Sequence, residues 1–523
     1  MESGVLIGAR KISSVNPATG EVLREFDCAG EGEVHAAVAC ARSAQAAWNE
    51  AGVRFRVGVL HDFQRRLHEK KSAIAEAITR EAGKPRAEAL TTEVLVVLDA
   101  ARFLIENAHR LLREEPVPHG NLATKAKRGC LLREAYGVIA IISPWNYPFS
   151  IPATETLAAL VAGNAVVLKP SEFTSQVALE LASLLHAAGV PKSVFQVVVG
   201  DGATGSALMH SSIDKLVFTG SVATGKRIAA TAAERLLPVV LELGGKDPML
   251  VLDDADLDVA SSAAVWGAFV NAGQACLSVE RCYVHRSLYE KFLNVCVEKV
   301  KQLHVGDGAD SRTDVGPMIH ERQLLVVEAQ VDDAKARGAR ILAGGTRLPK
   351  LGRNFYAPTV LADVTHEMKV MREETFGPLL PVMAFDTDDE AIVLANNSDF
   401  GLAASVWTRD RTRGERLARR IQAGTVMVND VLSCFGISEA PHGGWKSSGV
   451  GRTHGRYGLE EMVRLKYLDS DLMPGMKKVW WFGYGENFAR QMQGFLDFQF
   501  ARGLGARLRG ALQSVGVIRS TKL

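Results

Sequence analysis

Long apolar runs are missing from this chain: no stretch approaches the roughly 18 uninterrupted apolar residues of a membrane-spanning helix. The N-terminus, MESGVLIGARKISS, has no apolar core long enough for a signal peptide, and no acid-poor Arg/Ser transit pattern follows it. A cytoplasmic protein is expected. Net charge is nearly absent as well, with 61 Lys and Arg against 59 Asp and Glu, so no global field recruits nucleic acid. The seven cysteines are an odd number, scattered at 28, 40, 130, 276, 282, 296 and 434, which is no disulfide framework in a chain of this size. There is no CxxC, no HExxH and no His pair flanking a Cys pair, so no metal site is expected. Internal repeats and low-complexity blocks are also lacking.

What remains is the composition of an ordinary soluble enzyme, 47% hydrophobic and 23% charged, on a 523-residue chain too long for one core. From about 136 to 252, short apolar runs alternate with helix-like stretches: YGVIAIIS, AVVLKP, VFQVVVG, KLVFTG, PVVLELGG and PMLVLDD. Continuous apolar strands separated by helices are what a parallel sheet covered on both faces demands, so a doubly wound α/β domain is predicted. A second α/β series begins near Asp256 and runs to about 445, through RCYVH, TVLADV, LLPVMAF, ASVWT and GTVMVND. Residues 34 to 112 read mostly as amphipathic helix.

Four loops follow strand ends: PWNYP (144–148), KPSE (169–172), FTGSVATG (218–225) and LELGGKDP (241–248). In an open parallel sheet such loops line the ligand crevice. FTGSVATG sets Gly220 and Gly225 around a helix start, which is a phosphate site or a plain glycine turn. In KPSE, Lys169 and Glu172 could bind ribose hydroxyls, with Glu172 repelling a 2′-phosphate, or form a solvated salt-bridging loop. Glu242, between an apolar run and Gly244-Gly245, is a general base or a paired structural charge. Asn146 could donate its amide to an oxyanion or pin a turn. Cys276, in NAGQACLSVERC, is a nucleophile or an inert core thiol.

The order PWNYP, KPSE, FTGSVATG, LELGG, GQAC, EETFGP and GGWKSSGVGR resembles the NAD(P)-dependent aldehyde dehydrogenase superfamily, from NPATGEV (16–22) to about RLKYLDS (464–470). The resemblance implies that Cys276 is the nucleophile and that its thiohemiacetal oxyanion is held by the Asn146 amide and the Cys276 N–H. It implies that Glu242 activates the water that releases the acid. Ile142, Ser143, Pro144 and Trp145 then line the adenosine and diphosphate side, with Lys169 and Glu172 on the adenosine ribose. Gly202, Gly220, Ser221 and Gly225 approach the diphosphate, Glu374 holds the nicotinamide ribose and Phe376 packs against the ring. NAD is the implied cofactor, with NADP less favoured because of Glu172. Such a nucleophile needs its thiol pKa to fall from about 8.5. Cys282, Cys28, Cys40, Cys130 and Cys296 are expected in the core.

Departures from the family pattern stand out. After GVGR the family often has Glu, but here Thr453 and His454 follow, so a carboxylate proton relay there cannot be carried over. His442 stands where Phe is frequent and reads as a loop residue, not a base. The rival readings are a coenzyme A-acylating relative, which would lack Glu242, and a membrane-associated relative with a structural role.

The implied organisation is an NAD-binding domain (1–116 and 136–244), a catalytic domain (245–445) and an oligomerisation ribbon (117–135 and 452–470). A homodimer or homotetramer is expected. Residues 471–523 form a basic aromatic tail. From Pro474 onward it holds eight cations, Lys477, Lys478, Arg490, Arg502, Arg507, Arg509, Arg519 and Lys522, against Glu486 and Asp497, a net +6. Between 488 and 512 its apolar residues recur at helical spacing, predicting a basic amphipathic helix. Peripheral contact of 474–523 with the inner face of an anionic membrane, or packing on protein, would bury that face.

Overall fold

Uninterrupted apolar runs build two sheets that are parallel except for one edge strand each, because only a strand covered on both faces can be apolar at every position. The computed structural model describes residues 10–478, 480–482 and 484–515. Val479, Arg519 and Lys522 of the tail, and the first nine residues, lie outside the described residues. The chain divides into two compact units, one reaching Leu112 and resuming from Glu134 to Arg464, the other formed by Arg113–Arg133 and the chain from Leu465 onward.

In the larger unit, the first sheet orders its strands as Gly449–Val450, Val239–Glu242, Lys215–Thr219, Val138–Ile142, Ala165–Lys169 and Phe195–Val197. All are parallel except the short Gly449–Val450 strand, which pairs antiparallel with Val239–Glu242. The chain winds outward from Val138–Ile142 to one side, then returns to the other, so a crevice opens at that switch point beyond the strands' carboxyl ends. Helices Ser150–Val161, Ser175–Ala187, Gly202–His210 and Val222–Glu234 are the crossovers.

The second sheet runs Arg340–Ala343, Thr359–Ala362, Leu379–Phe385, Val279–His285, Asp247–Val251, Ala403–Trp407 and Thr425–Val428. PMLVLDD, the last run of the 136–252 series, therefore leaves the first sheet and becomes an interior strand of the second. The switch falls at Gly244-Gly245, next to Glu242. Helices Glu31–Glu50, Gly52–Ala82 and Leu95–Leu111 make up the predicted helical stretch and bury their apolar faces in the first sheet's core.

The smaller unit has a three-stranded sheet, in the order Val463–Asp471, Lys127–Ala135, Glu115–Val117. Its tail forms two helices, Phe488–Phe500 and Leu504–Ser514, not one. The break is at Ala501–Gly503, where Gly503 takes φ +99°. The pair cross where a Cβ on Gly494 or Gly510 would fall within 2.6 Å of the other helix. Leu504, Leu508 and Leu512 remain more than half exposed, as do Trp481 and Phe482. Among the described residues, no helix is long and apolar enough to cross a membrane.

Candidate active site

The GQAC loop is fixed by strain and by hydrogen bonds that hold the strain. Helix Leu257–Phe269 runs into a turn in which Asn271 and Ala272 take φ of +51° and +55°. Left-handed backbone at non-glycine residues costs about 1–3 kcal/mol each and persists only where surroundings over-determine it. Here the Glu88 carboxylate accepts the Asn271 N–H, and the Asn271 amide donates to the carbonyls of Asn146 and Gln274. The Gln274 side chain donates to Asn271 O and accepts the Ile319 N–H. Gly273 must be glycine, since a Cβ there would lie 2.1 Å from the Gly377 carbonyl of EETFGP.

Cys276 is a free thiol at the boundary of two cavities. On one side is an apolar pocket of about 220 Å³ lined by Thr91, Thr92, Val96, Tyr147, Ile151, Trp266, Val270, Leu277, Leu432 and Phe435. On the other is a crevice of about 330 Å³ at the strand ends, lined by Pro144, Trp145, Asn146, Gly220, Ser221, Glu242, Gly244, Glu374 and Phe376. The structure therefore brings Cys276, Glu242 and Asn146 to one place. The Asn146 amide donates to Gln274 O at 3.1 Å, which leaves its second N–H for another acceptor.

The thiol's electrostatics correct the expectation of a lowered pKa. Burial pushes Cys276 well above the usual thiol range, and the carboxylates of Asp247, Glu374 and Glu242 push it the same way. Sulfur is thus a thiol at rest and needs a base to activate it. Glu242 is placed to serve: both its oxygens lack a partner, and burial, with Glu155 close by, raises its pKa well above the ordinary value, so its ionised fraction is a stronger base than an exposed carboxylate. His442 lies in a loop, as its sequence suggests, but that loop is buried over the base. The residue is 5% exposed, bridged to Thr453, and its Nε2 lies 3.8 Å from Glu242 Oε2.

Of the other expected cofactor residues, Ser221 caps helix Val222–Glu234, leaving that N-terminus open to the crevice. Gly225 faces Leu243, whose side chain a Cβ would overlap at 2.5 Å, so it serves close helix–strand packing. Ile142 and Lys169 end adjacent strands, and Ser143 is buried beside them. Lys169 Nζ lies 3.5 Å from Glu172. Gly202 belongs to a GxGxxG run, Gly200–Gly205, and opens a helix capped by the Asp201 carboxylate, itself paired with Arg10; a Cβ on Gly205 in that helix would lie 3.9 Å from Ile142 and 4.0 Å from Lys169. Glu374 accepts the Gly245 N–H at 2.9 Å, and Phe376 meets Trp145 edge to face at 5.3 Å. These residues fit a phosphate-bearing cofactor laid along the strand ends, its diphosphate at the Val222 helix.

Two buried ion pairs that hold the site escaped sequence reasoning. Glu280 pairs with Lys246 and accepts the N–H groups of Thr375 and Phe376, fixing the EETFGP loop. Glu93 pairs with Lys84 and accepts the N–H groups of Phe149 and Ser150, capping the helix after PWNYP. Lys84 also sits 3.7 Å over the Tyr147 ring. The available signal was a lone carboxylate inside an apolar run, VERCYVH and ALTTEVLVV. Among the remaining cysteines, Cys28, Cys282 and Cys296 are buried as expected, but Cys40 is exposed and Cys130 half-buried, because their helix and strand turn those positions outward.

Comparison with known proteins agrees with this architecture. The aldehyde dehydrogenase family model matches residues 7–468. A 4,4'-diapolycopene aldehyde oxidase from Methylomonas sp. is 42% identical over 512 residues, covering 96% of this chain and 94% of that protein. A putative succinate-semialdehyde dehydrogenase [NADP(+)] from Mycolicibacterium smegmatis is 39% identical, covering 86% of each. The NAD+ complex of an aldehyde dehydrogenase from Bacillus cereus superposes with a TM-score of 0.85 at 35% identity, covering 88% of this chain and 94% of that one. The overall architecture is thus shared with a solved aldehyde dehydrogenase, and the chain belongs to the aldehyde dehydrogenase family.

Proposed function

We propose that the protein oxidises a long apolar aldehyde to its carboxylic acid with NAD, by a covalent route on Cys276. The observation that carries the substrate class is the apolar pocket at Cys276: among its described lining residues none is Lys, Arg or His, and three are aromatic. A carboxylate-bearing aldehyde would find no cation there, whereas an alkyl or polyene chain loses water against Val96, Trp266 and Phe435. The relative named for 4,4'-diapolycopene aldehyde points the same way.

In this reading Glu242 takes the Cys276 proton, and sulfur attacks the aldehyde carbon. The oxyanion accepts hydrogen bonds from the Asn146 amide and the Cys276 N–H. NAD, when bound, supplies the hydride acceptor. Cys276 then carries the acyl group as a thioester; Glu242 gives up the thiol's proton to solvent, takes a proton from the water that attacks the thioester carbon, and the C–S bond breaks to release the acid and the Cys276 thiolate. The test is kcat/KM for a chain-length series of aldehydes, with succinic semialdehyde as the charged comparison and coenzyme A as an added arm. Efficiency should rise with apolar length; a preference for succinic semialdehyde overturns the substrate class, and dependence on coenzyme A overturns hydrolysis.

Glu172 sets cofactor preference in this reading. Its partly exposed carboxylate at the adenosine ribose repels a 2′-phosphate, so NAD should outperform NADP, and Glu172→Ser should narrow the ratio of their kcat/KM values. A wild type that uses NADP better contradicts this.

The tail belongs to the same proposal. Residues 471–523 are about a tenth of the chain, so a match covering 96% of it includes most of the tail. Its two helices present exposed Leu504, Leu508 and Leu512, with Trp480, Trp481 and Phe482 exposed just before them, among the cations of the +6 segment. That combination suits an anionic bilayer surface, where an apolar aldehyde partitions. Full-length protein should sediment with anionic liposomes, and a chain ending at Ser470 should not. Equal behaviour of the two rejects the tail as the contact.

A further inference from the structure

The two orphaned oxygens of Glu242 are not alone. Nε2 of His454 and Oε2 of Glu155 are also buried without a partner. Buried polar groups are nearly always satisfied, so three unsatisfied titratable side chains in one region need an explanation. Geometry connects them. His442 Nε2 lies 3.8 Å from Glu242 Oε2, and the rings of His442 and His454 meet edge to face with centroids 5.9 Å apart. His454 and Glu155 share the wall of a cavity of about 30 Å³, room for about one or two waters. Thr219 Oγ1 donates to Glu155 Oε1 at 3.2 Å, and Thr219 lines the cofactor-side crevice, opposite Glu242 in the strand register. The path leaves Glu242 and comes back to the crevice wall.

We propose that Glu242, His442, His454 and Glu155 form one proton-transfer cluster, through which the proton taken from the attacking water leaves Glu242. This rests on the reading of Glu242 as the base for hydrolysis. In that step the water oxygen bonds to the thioester carbon, the C–S bond breaks and Glu242 gains a proton. Glu242 must lose that proton before the next turnover. His442 Nε2, 3.8 Å away, is the first acceptor in the route, and His454, cavity water, Glu155 and Thr219 continue it.

The charge state of the cluster agrees with transfer by exchange. Burial, with His454 and Arg452 nearby, lowers His442 to about 3; burial lowers His454 to about 4 and raises Glu155 to about 8. At neutral pH all three are uncharged, and each can give one proton while accepting another. The charged groups facing Glu242 from other elements are Arg452 and Glu461, and Glu461 is itself paired with Lys215. His442 and His454 occupy positions where sequence reasoning found departures from the family pattern.

The test compares wild type, E242Q, H442F, H442N and E155Q in full-length enzyme, reading the NADH burst and the steady phase across pH. H442F should keep a full burst, which certifies folding and an active Cys276, while its steady rate falls roughly tenfold or more. H442N should behave as H442F does, because an amide can hold Glu242 by hydrogen bond but cannot relay a proton. E155Q should lose a break near pH 8 that wild type shows, where ionised Glu155 holds the proton on Glu242 more tightly. A steady rate within twofold of wild type in H442F, a lost burst, or full rescue by H442N each overturns the cluster. So does an E155Q profile matching wild type. If E242Q itself turns over normally, the failure lies in the underlying reading of the base.

Discussion

Cys276→Ala and Cys276→Ser are expected to abolish aldehyde oxidation, whereas Cys282→Ala keeps most of it. Among the described residues, only Cys276 and Ile151 line both the apolar pocket and the crevice, and Ile151 has no nucleophilic atom. A hydroxyl in place of the thiol is a far weaker nucleophile in a site that already disfavours anions, through Asp247, Glu374 and Glu242. The loss should reach at least about 1,000-fold, or about 4 kcal/mol of barrier. Cys282, six residues on, is wholly buried in strand Val279–His285, away from either cavity wall. Removing its sulfur leaves a small void and costs stability, about 1 kcal/mol, without touching the reacting atoms. NADH absorbance at saturating aldehyde is the measurement, and substantial turnover by Cys276→Ala would remove sulfur from the reaction.

Glu242→Gln should convert steady turnover into a single burst of NADH. The side chain makes no hydrogen bond that glutamine would break, since both oxygens are unpartnered, so the fold should be unaffected. What is lost is a general base, a contribution of about 10²–10⁴ in rate, or roughly 3–5 kcal/mol. The burst should approach one NADH per active site and then give way to a slow phase. Its rate should also climb with pH, because Cys276, held above the usual thiol range, then depends on bulk hydroxide for its proton. An unchanged steady-state kcat excludes Glu242 from the mechanism.

Much of this was legible in the sequence, for a physical reason. Strand-end loops in a doubly wound sheet converge by topology, so Asn146, Gly220, Ser221 and Glu242 could be gathered without coordinates, while Cys276 joined them only through the family resemblance. Partners that meet across the fold could not. Glu280 reaches Lys246 and the Thr375 N–H only because Asp247–Val251 crosses to the second sheet, a step that local periodicity does not encode. His442 read only as a loop residue because no local pattern shows that Gly449–Val450 pairs with Val239–Glu242 and that the chain around it folds back over the base. The Gly200–Gly205 run has the spacing of a dinucleotide fingerprint, but only the structure shows Asp201, paired with Arg10, capping the helix that it opens. The tail hairpin depends on Gly503, which helical spacing alone reads through.

The residues that tie the GQAC loop, Glu88, Asn271, Gln274 and Gly377, are not those that wall the apolar pocket at Val96, Trp266 and Phe435. Exchanging one aliphatic or aromatic side chain for another in that wall changes the space at the thiol by a methylene or two, about 0.8 kcal/mol apiece. At Val96 the exchange leaves the strained turn's hydrogen bonds in place, whereas Phe435 also packs edge to face on His442 and His454. If the proposed function holds, a lineage carrying this chain can therefore shift from one aldehyde length to the next through single mutations at Val96, while Phe435 ties pocket shape to the surroundings of the base.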